Sequence, residues 1–187
     1  MTKFNHLSAP NHRSSIPALQ SILSLYIDAF PADERREWTV TDDICDFIDS
    51  HADRFHIITI EHEDRFAGFV TYWDFSTHIY VEHLAIIEEM RSHSLGSQLL
   101  RHLIDTISPD ILLEVEHPTT PEAVRRITFY RQRGFTLRDD IPYIQPPYSP
   151  RLSPTPLILM THGNVSPDED LIATLKRIVY DYPPLTK

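Results

Sequence analysis

Glycine is scarce in this chain: four residues in 187, at positions 68, 96, 134 and 163. Neither a Gly-Lys-Ser/Thr phosphate loop nor a Gly-x-Gly-x-x-Gly run can be built from them, which excludes the common nucleotide-binding designs. Cysteine is nearly absent. The single Cys45 cannot form an intrachain disulfide or a cysteine-rich metal site, and a reducing, cytoplasmic location is the simplest expectation. Its neighbours Asp42, Asp43 and Asp46 disfavour a thiolate, so a structural role is expected. Basic residues are outnumbered, 17 against 27 acidic ones, for a net charge of −10. That balance argues against long-range attraction to nucleic acid or an anionic membrane. No stretch approaches the ~20 consecutive apolar residues of a membrane span. The first residues, Met-Thr-Lys-Phe-Asn-His, lack a basic-then-apolar targeting pattern. Histidine is plentiful, with 11 residues, but none falls at a His-Glu-x-x-His or similar ligand spacing, so no metal is expected.

What is present is regular and mixed. Residues 3–7 read as a short strand. Ser14, Ser15 and Pro17 open a helix with Leu19, Ile22, Leu23, Tyr26 and Phe30 at helical spacing, ended by Pro31. Thr41, Asp42 and Asp43 open a second helix with the stripe Ile44, Phe47 and Ile48. Residues 55–61 and 66–75, around the polar turn Glu63-Asp64-Arg65, read as a hairpin, and 78–87 as a third strand. A helix with Leu95, Leu99, Leu103 and Ile107 on one face follows, then a strand over 111–115. Thr119-x-x-Glu122 has the form of a capping box for a helix that stops at Gly134, where the strand 135–138 begins. Six prolines between 142 and 156 predict a stiff, irregular segment, either a plain surface loop or a wall of a substrate cleft with Tyr143, Gln145 and Tyr148. A short strand over 157–160 precedes a last helix, opened by Ser166-Pro-Asp-Glu169 and closed before Pro183-Pro184. The order β-α-α-β-β-β-α-β-α-β-β-α predicts an α/β fold with one central sheet.

The segment Leu84-Ala-Ile-Ile-Glu-Glu-Met-Arg-Ser-His-Ser-Leu-Gly-Ser-Gln-Leu-Leu100 is strand, loop, then helix, and the loop is rich in small residues. A helix start presents unpartnered N–H groups and the positive end of its dipole, and small side chains let a phosphate approach that backbone. Arg91 and His93 add local positive charge, so an anion can bind here despite the net charge.

Arg91-x-x-Ser94-x-Gly96 resembles the Arg/Gln-x-x-Gly-x-Gly/Ala loop of the GNAT acyltransferases. The likeness extends upstream through Leu84-Ala85-Ile86-x-x-Glu89, and Phe129-Tyr130-Arg-Gln-Arg-Gly134-Phe135 resembles the family's second signature. The chain departs from the pattern at Ser94, where glycine is usual, and near residues 120–123, where an asparagine is common. The resemblance implies an acyl-CoA N-acyltransferase-like fold: a mixed, largely antiparallel central sheet flanked by helices. It covers residues 1–162 as the acetyltransferase domain and leaves 163–187 as a helical extension packed on it.

It also implies acetyl-CoA as co-substrate and direct transfer of the acetyl group to an amine. The pyrophosphate would lie on N–H groups of Ser92, His93, Ser94, Leu95, Gly96 and Ser97, with Arg91 adding charge beside it, and the pantetheine arm along Leu84, Ala85 and Ile86. Tyr130 would be the acid towards the leaving thiolate. Arg125 and Arg126, which open the same helix, are within reach of coenzyme A phosphates, or else form a solvated face. For the base, simple alternation puts Glu82 on one face with Leu84 and Ile86, opposite Ala85. Glu114 and Glu116 are its rivals, on one face of the next strand. The acceptor is a small-molecule or peptide amine, and the acidic balance favours a cationic one. Monomer and homodimer both remain open. The competing reading is a non-catalytic acetyl-CoA-binding sensor or partner-docking module.

Overall fold

The structure is a computed structural model that describes residues 1–9 and 11–181, apart from the side chain of Ser92. The proposed stop at Pro183-Pro184 lies outside the described residues. The chain forms two compact units, Met1–Pro109 and Asp110–Lys187.

The first unit contains β1 (Thr2–Leu7), α1 (Ile16–Ala29), α2 (Thr41–Ser50), β2 (Phe55–His62), β3 (Arg65–Asp74), β4 (Ile79–Ile86) and α3 (Leu95–Thr106). Its strands run in the order β1-β2-β3-β4, each antiparallel to the next. The β2–β3 turn is the tight two-residue kind, with Glu63 (φ 52) and Asp64 (φ 59) both left-handed, which matches the twist of the strands it joins. One sheet face is aromatic: Phe55, Phe69 and Trp73 are fully buried there. Tyr26 of α1 packs 6.3 Å from Phe69, and Phe47 of α2 packs 5.8 Å from Trp73. The buried face of α1 is Leu19, Ile22, Leu25 and Tyr26, with Leu23 only half-buried, so Leu25 takes the place predicted for Leu23. Cys45 is buried on α2, and burial pushes its thiol pKa up, as suits a packing residue.

The second unit contains β5 (Ile111–Glu116), α4 (Pro121–Arg131), β6 (Thr136–Gln145), β7 (Thr155–His162) and α5 (Glu169–Val179). Its strands run β5-β7-β6, both pairs antiparallel. Three expectations are corrected here. The cap of α4 is Thr120, whose hydroxyl accepts from the Ala123 N–H at 3.1 Å, not Thr119. The cap of α5 is Asp168, accepting from Leu171 N–H at 2.8 Å, so Ser166 is outside the helix. The proline-rich segment is only partly irregular. Pro142 lies inside β6, at the break in pairing between Arg138 and Tyr143 where no ladder N–H is needed, and Pro156 lies in β7. Gly134 ends α4 at φ +88, as expected of a residue just past a helix end.

Candidate active site

The pairing of β3 with β4 contains an irregularity that decides the site. Thr71 lies opposite His83 and Tyr72 opposite Val81, so the register shifts by one residue and Glu82 is the extra residue of β4 at that point. Such a bulge redirects side chains and interrupts alternation. Glu82 therefore shares a face with His83 and Trp73, not with Leu84 and Ile86 as alternation predicts. Its carboxylate accepts from Trp73 Nε1 at 3.0 Å and from Arg36 Nη2 at 2.7 Å. The Glu82 side chain is 0% exposed while the residue as a whole is half-buried, so its accessible surface is main chain. That is the property needed of a strand that receives an extended ligand arm.

Arg36 gives no signal in the sequence, since it stands in the irregular stretch between α1 and α2. In the fold its guanidinium lies 4.2 Å from the ring centre of Phe47 and 5.6 Å from that of Trp73, and its N–H donates to the Tyr26 hydroxyl at 2.7 Å. The aromatic floor and the carboxylate together compensate a charge that is only 14% exposed. His83, also buried, lies 3.2 Å from the Glu34 carbonyl through Nε2, and burial depresses its pKa below the ordinary histidine value. The stretch 34–36 is thus fastened to two consecutive β4 side chains, which the bulge alone makes possible.

After β4 the chain enters a 3-10 turn, Glu88–His93, rather than an open loop. Arg91 Nε donates back to the Ile86 carbonyl at 3.3 Å, and the His93 ring lies 5.2 Å from that of His62. Ser94 then takes φ 57, ψ 20, the left-handed conformation that glycine adopts without cost, and caps α3 without a side-chain hydrogen bond. A residue with a Cβ therefore stands in a glycine-like backbone here. Leu95 is fully buried and anchors the first turn, in which no residue is acidic. Leu84, Ala85 and Ile86 lead through one 3-10 turn into residues 91–97, and the helix start suits a phosphate by charge and by an N-cap without a side-chain hydrogen bond.

In the second unit Tyr130 lies on the buried face of α4 with Ala123 and Ile127. Burial raises its phenol pKa to about 12, so it holds its proton throughout the neutral range. Arg126 is ion-paired with Glu116. Arg125 pairs with Glu122 on the exposed face of α4 at 2.6 Å. Glu114 has different company from Glu116: it accepts from the Tyr143 hydroxyl and from the Tyr180 hydroxyl, the latter at 3.0 Å. Tyr180, which follows α5, has no counterpart among the residues the sequence singles out. Among the described residues no group of three or more His, Cys, Asp or Glu is placed to hold a metal ion, and no helix is long and apolar enough to cross a membrane.

The sequence matches the profile of the acetyltransferase (GNAT) family over residues 19–135. Among solved structures, a GNAT-family protein from Bacteroides thetaiotaomicron is 34% identical and superposes with a TM-score of 0.85, covering 97% of this chain and 99% of its own. The ribosomal-protein-S18-alanine N-acetyltransferase from Escherichia coli is 19% identical, with a TM-score of 0.60 over 91% of this chain and 99% of its own. A GNAT acetyltransferase from Elizabethkingia anophelis, solved with acetyl-CoA bound, is 14% identical, with a TM-score of 0.52 over 86% of this chain and 97% of its own. A search of curated proteins gives no match. The fold is the expected α/β one, a mixed seven-stranded sheet flanked by helices, with α5 following the last strand. A profile matching more than half of the sequence and a relative alike over its whole length agree: the chain belongs to the GNAT acetyltransferase family.

Proposed function

We propose that this protein is an acetyl-CoA-dependent N-acetyltransferase that passes the acetyl group directly to an amine of a small molecule or peptide. The observation that carries this reading is the run from the Glu82 bulge to Ser94: accessible main chain on β4, then a left-handed N-cap residue without a side-chain cap bond, opening a helix with no acid in its first turn. The backbone of Leu84, Ala85 and Ile86 suits the amides of the pantetheine arm, paired as an added strand. The N–H groups from Arg91 to Ser97 suit the pyrophosphate, with Arg91 and His93 supplying local charge. Arg126 is a weaker phosphate ligand than the sequence suggests, because Glu116 already engages it. The single buried thiol fits a reducing, cytoplasmic setting.

Acetyl-CoA supplies an activated thioester. The acceptor nitrogen attacks its carbonyl carbon, the C–N bond forms, and the C–S bond breaks. In the first reading Glu82 takes the amine's proton through water. Arg36 and Trp73 hold this carboxylate in one orientation. Tyr130, still protonated at neutral pH, gives its proton to the departing sulfur. One observation favours Glu114 as the base instead: it accepts from two neutral phenols, whereas Glu82 is paired with a guanidinium, which weakens a base.

The first test is thermal unfolding with acetyl-CoA, with NAD and ATP as controls. At ~100 times Kd, a ligand adds about 2.7 kcal/mol. For a chain of this size the midpoint then rises by roughly 5–10 °C. Coenzyme A release with primary amines, compared among Glu82→Gln, Glu114→Gln and Tyr130→Phe, identifies the base and the acid. No shift with acetyl-CoA would sink the reading. Binding without turnover over a broad amine panel would replace it with the sensor or docking module.

A further inference from the structure

The second unit contains a buried polar cluster that neither signature includes. Tyr143 on β6, Gln145 two residues further on, and Tyr180 after α5 are 5%, 6% and 7% exposed. The two tyrosines bond to Glu114 on β5, and Gln145 bonds to one of them. Tyr143 donates to Glu114 Oε1, Tyr180 donates to Oε2 at 3.0 Å, and Gln145 Nε2 donates to the Tyr180 hydroxyl at 2.9 Å. The directions of these bonds fix one another. A carboxylate can only accept, so the single Tyr180 proton points at Glu114, and the Tyr180 oxygen is left to accept from the Gln145 amide. Tyr148, from the proline-rich connection, packs its ring 5.1 Å from that of Tyr180. Lys176 of α5 brings its ammonium to 5.0 Å from the Tyr143 ring centre.

Three separate pieces of chain therefore converge around Glu114 and Tyr180: β6 and the end of α5 at the carboxylate, and the proline-rich connection at the Tyr180 ring. A purely apolar packing would hold α5 in place without burying polar groups, and buried polar groups cost stability unless every one is satisfied. Here the geometry is spent on holding both oxygens of one acid. We propose that Tyr180 is a positioning residue that fixes the Glu114 carboxylate for proton transfer from the acceptor amine, so that α5 belongs to the catalytic machinery. The proposal rests on the reading in which Glu114 is the base. It gives the proline-rich connection a purpose as well: through Tyr148 it steadies the ring of Tyr180.

The test uses the full chain and the conservative Tyr180→Phe variant, which keeps the ring packed and removes only the hydroxyl. With glutamate labelled at the side-chain carboxyl carbon, NMR titration follows Glu114, identified by the signal lost in Glu114→Gln. Losing a donor to the charged form raises a carboxyl pKa, so the Glu114 midpoint should move up by about one pH unit. The acid limb of kcat/KM, measured by coenzyme A release with the fastest of a panel of primary amines, should move up with it, while KM for acetyl-CoA stays unchanged. Gln145→Leu should shift both in the same direction by less. An unmoved Glu114 midpoint in Tyr180→Phe overturns the proposal. So does a limb that stays in place in Tyr180→Phe although Glu114→Gln abolishes it, and in that case Glu114 remains the base. If Glu82→Gln abolishes the limb and Glu114→Gln leaves it, the underlying reading fails and the proposal fails with it.

Discussion

Replacing Ser94 by glycine should make this protein more stable, although the change removes atoms. Ser94 is held at φ 57, ψ 20. A residue with a Cβ pays roughly 1–2 kcal/mol in that conformation, because Cβ crowds the following carbonyl. Glycine does not pay it, but gives the unfolded chain more freedom, which returns roughly 0.5–1 kcal/mol to the unfolded side. The hydroxyl makes no capping hydrogen bond, so no compensating loss occurs there. The net gain is about 0.5–1 kcal/mol, or a midpoint rise of roughly 1–4 °C at this chain length. Calorimetry on the wild type, Ser94→Gly and Ser94→Ala separates the causes. Alanine keeps the Cβ and should not rise. If Ser94→Gly melts at or below the wild-type midpoint, Ser94 is not strained as described, and the glycine-like start of α3 is wrong.

Other outcomes follow from the same geometry. Arg36→Met should take the guanidinium away from the buried Glu82 carboxylate and cost about 3–5 kcal/mol, read from urea midpoints. The double variant Arg36→Met/Glu82→Met should recover most of that loss, and a mild effect of Arg36→Met alone would contradict the pairing. Thr120→Ala should cost about 1 kcal/mol as a lost helix cap, while Thr119→Ala should be close to neutral; the reverse order would restore the predicted cap. Burial lowers the folded-state pKa of His83, and His56 and His102 share that direction. Below about pH 6.5 the unfolded chain therefore binds protons before the folded one does, and stability should fall as pH drops. For one histidine the slope is at most about 1.4 kcal/mol per pH unit. Urea midpoints at pH 7.5 and 5.5 would show the fall, and a rise would refute the sign.

The sequence makes most of the elements legible because hydrophobic spacing reports on buried faces, and these faces are well buried. The stripe Leu95, Leu99 and Leu103 is fully buried on α3, and Gly134 ends α4. Where several residues can cap a helix start, pattern alone misplaces it, since Thr119 and Thr120, or Ser166 and Asp168, differ only in backbone conformation. Alternation misplaces Glu82 because a bulge leaves no mark in residue types. Arg36 and Tyr180 are invisible for a different reason: their partners lie 46 and 66 residues away, and only the fold brings them together. Ser94 is the opposite case, a departure from glycine in residue type that still takes a left-handed backbone.

The register shift on β4 means that one of its residues is surplus to the ladder. If Glu82 were excised, Val81 would directly precede His83, and every remaining pair across β3 and β4 would keep both its partner and its face. The sheet would close into an ordinary ladder without it. Glu82 is therefore an insertion in the geometric sense, a residue the architecture can omit. Its carboxylate, and the stretch 34–36 gathered around it, are an addition to a strand that is complete on its own.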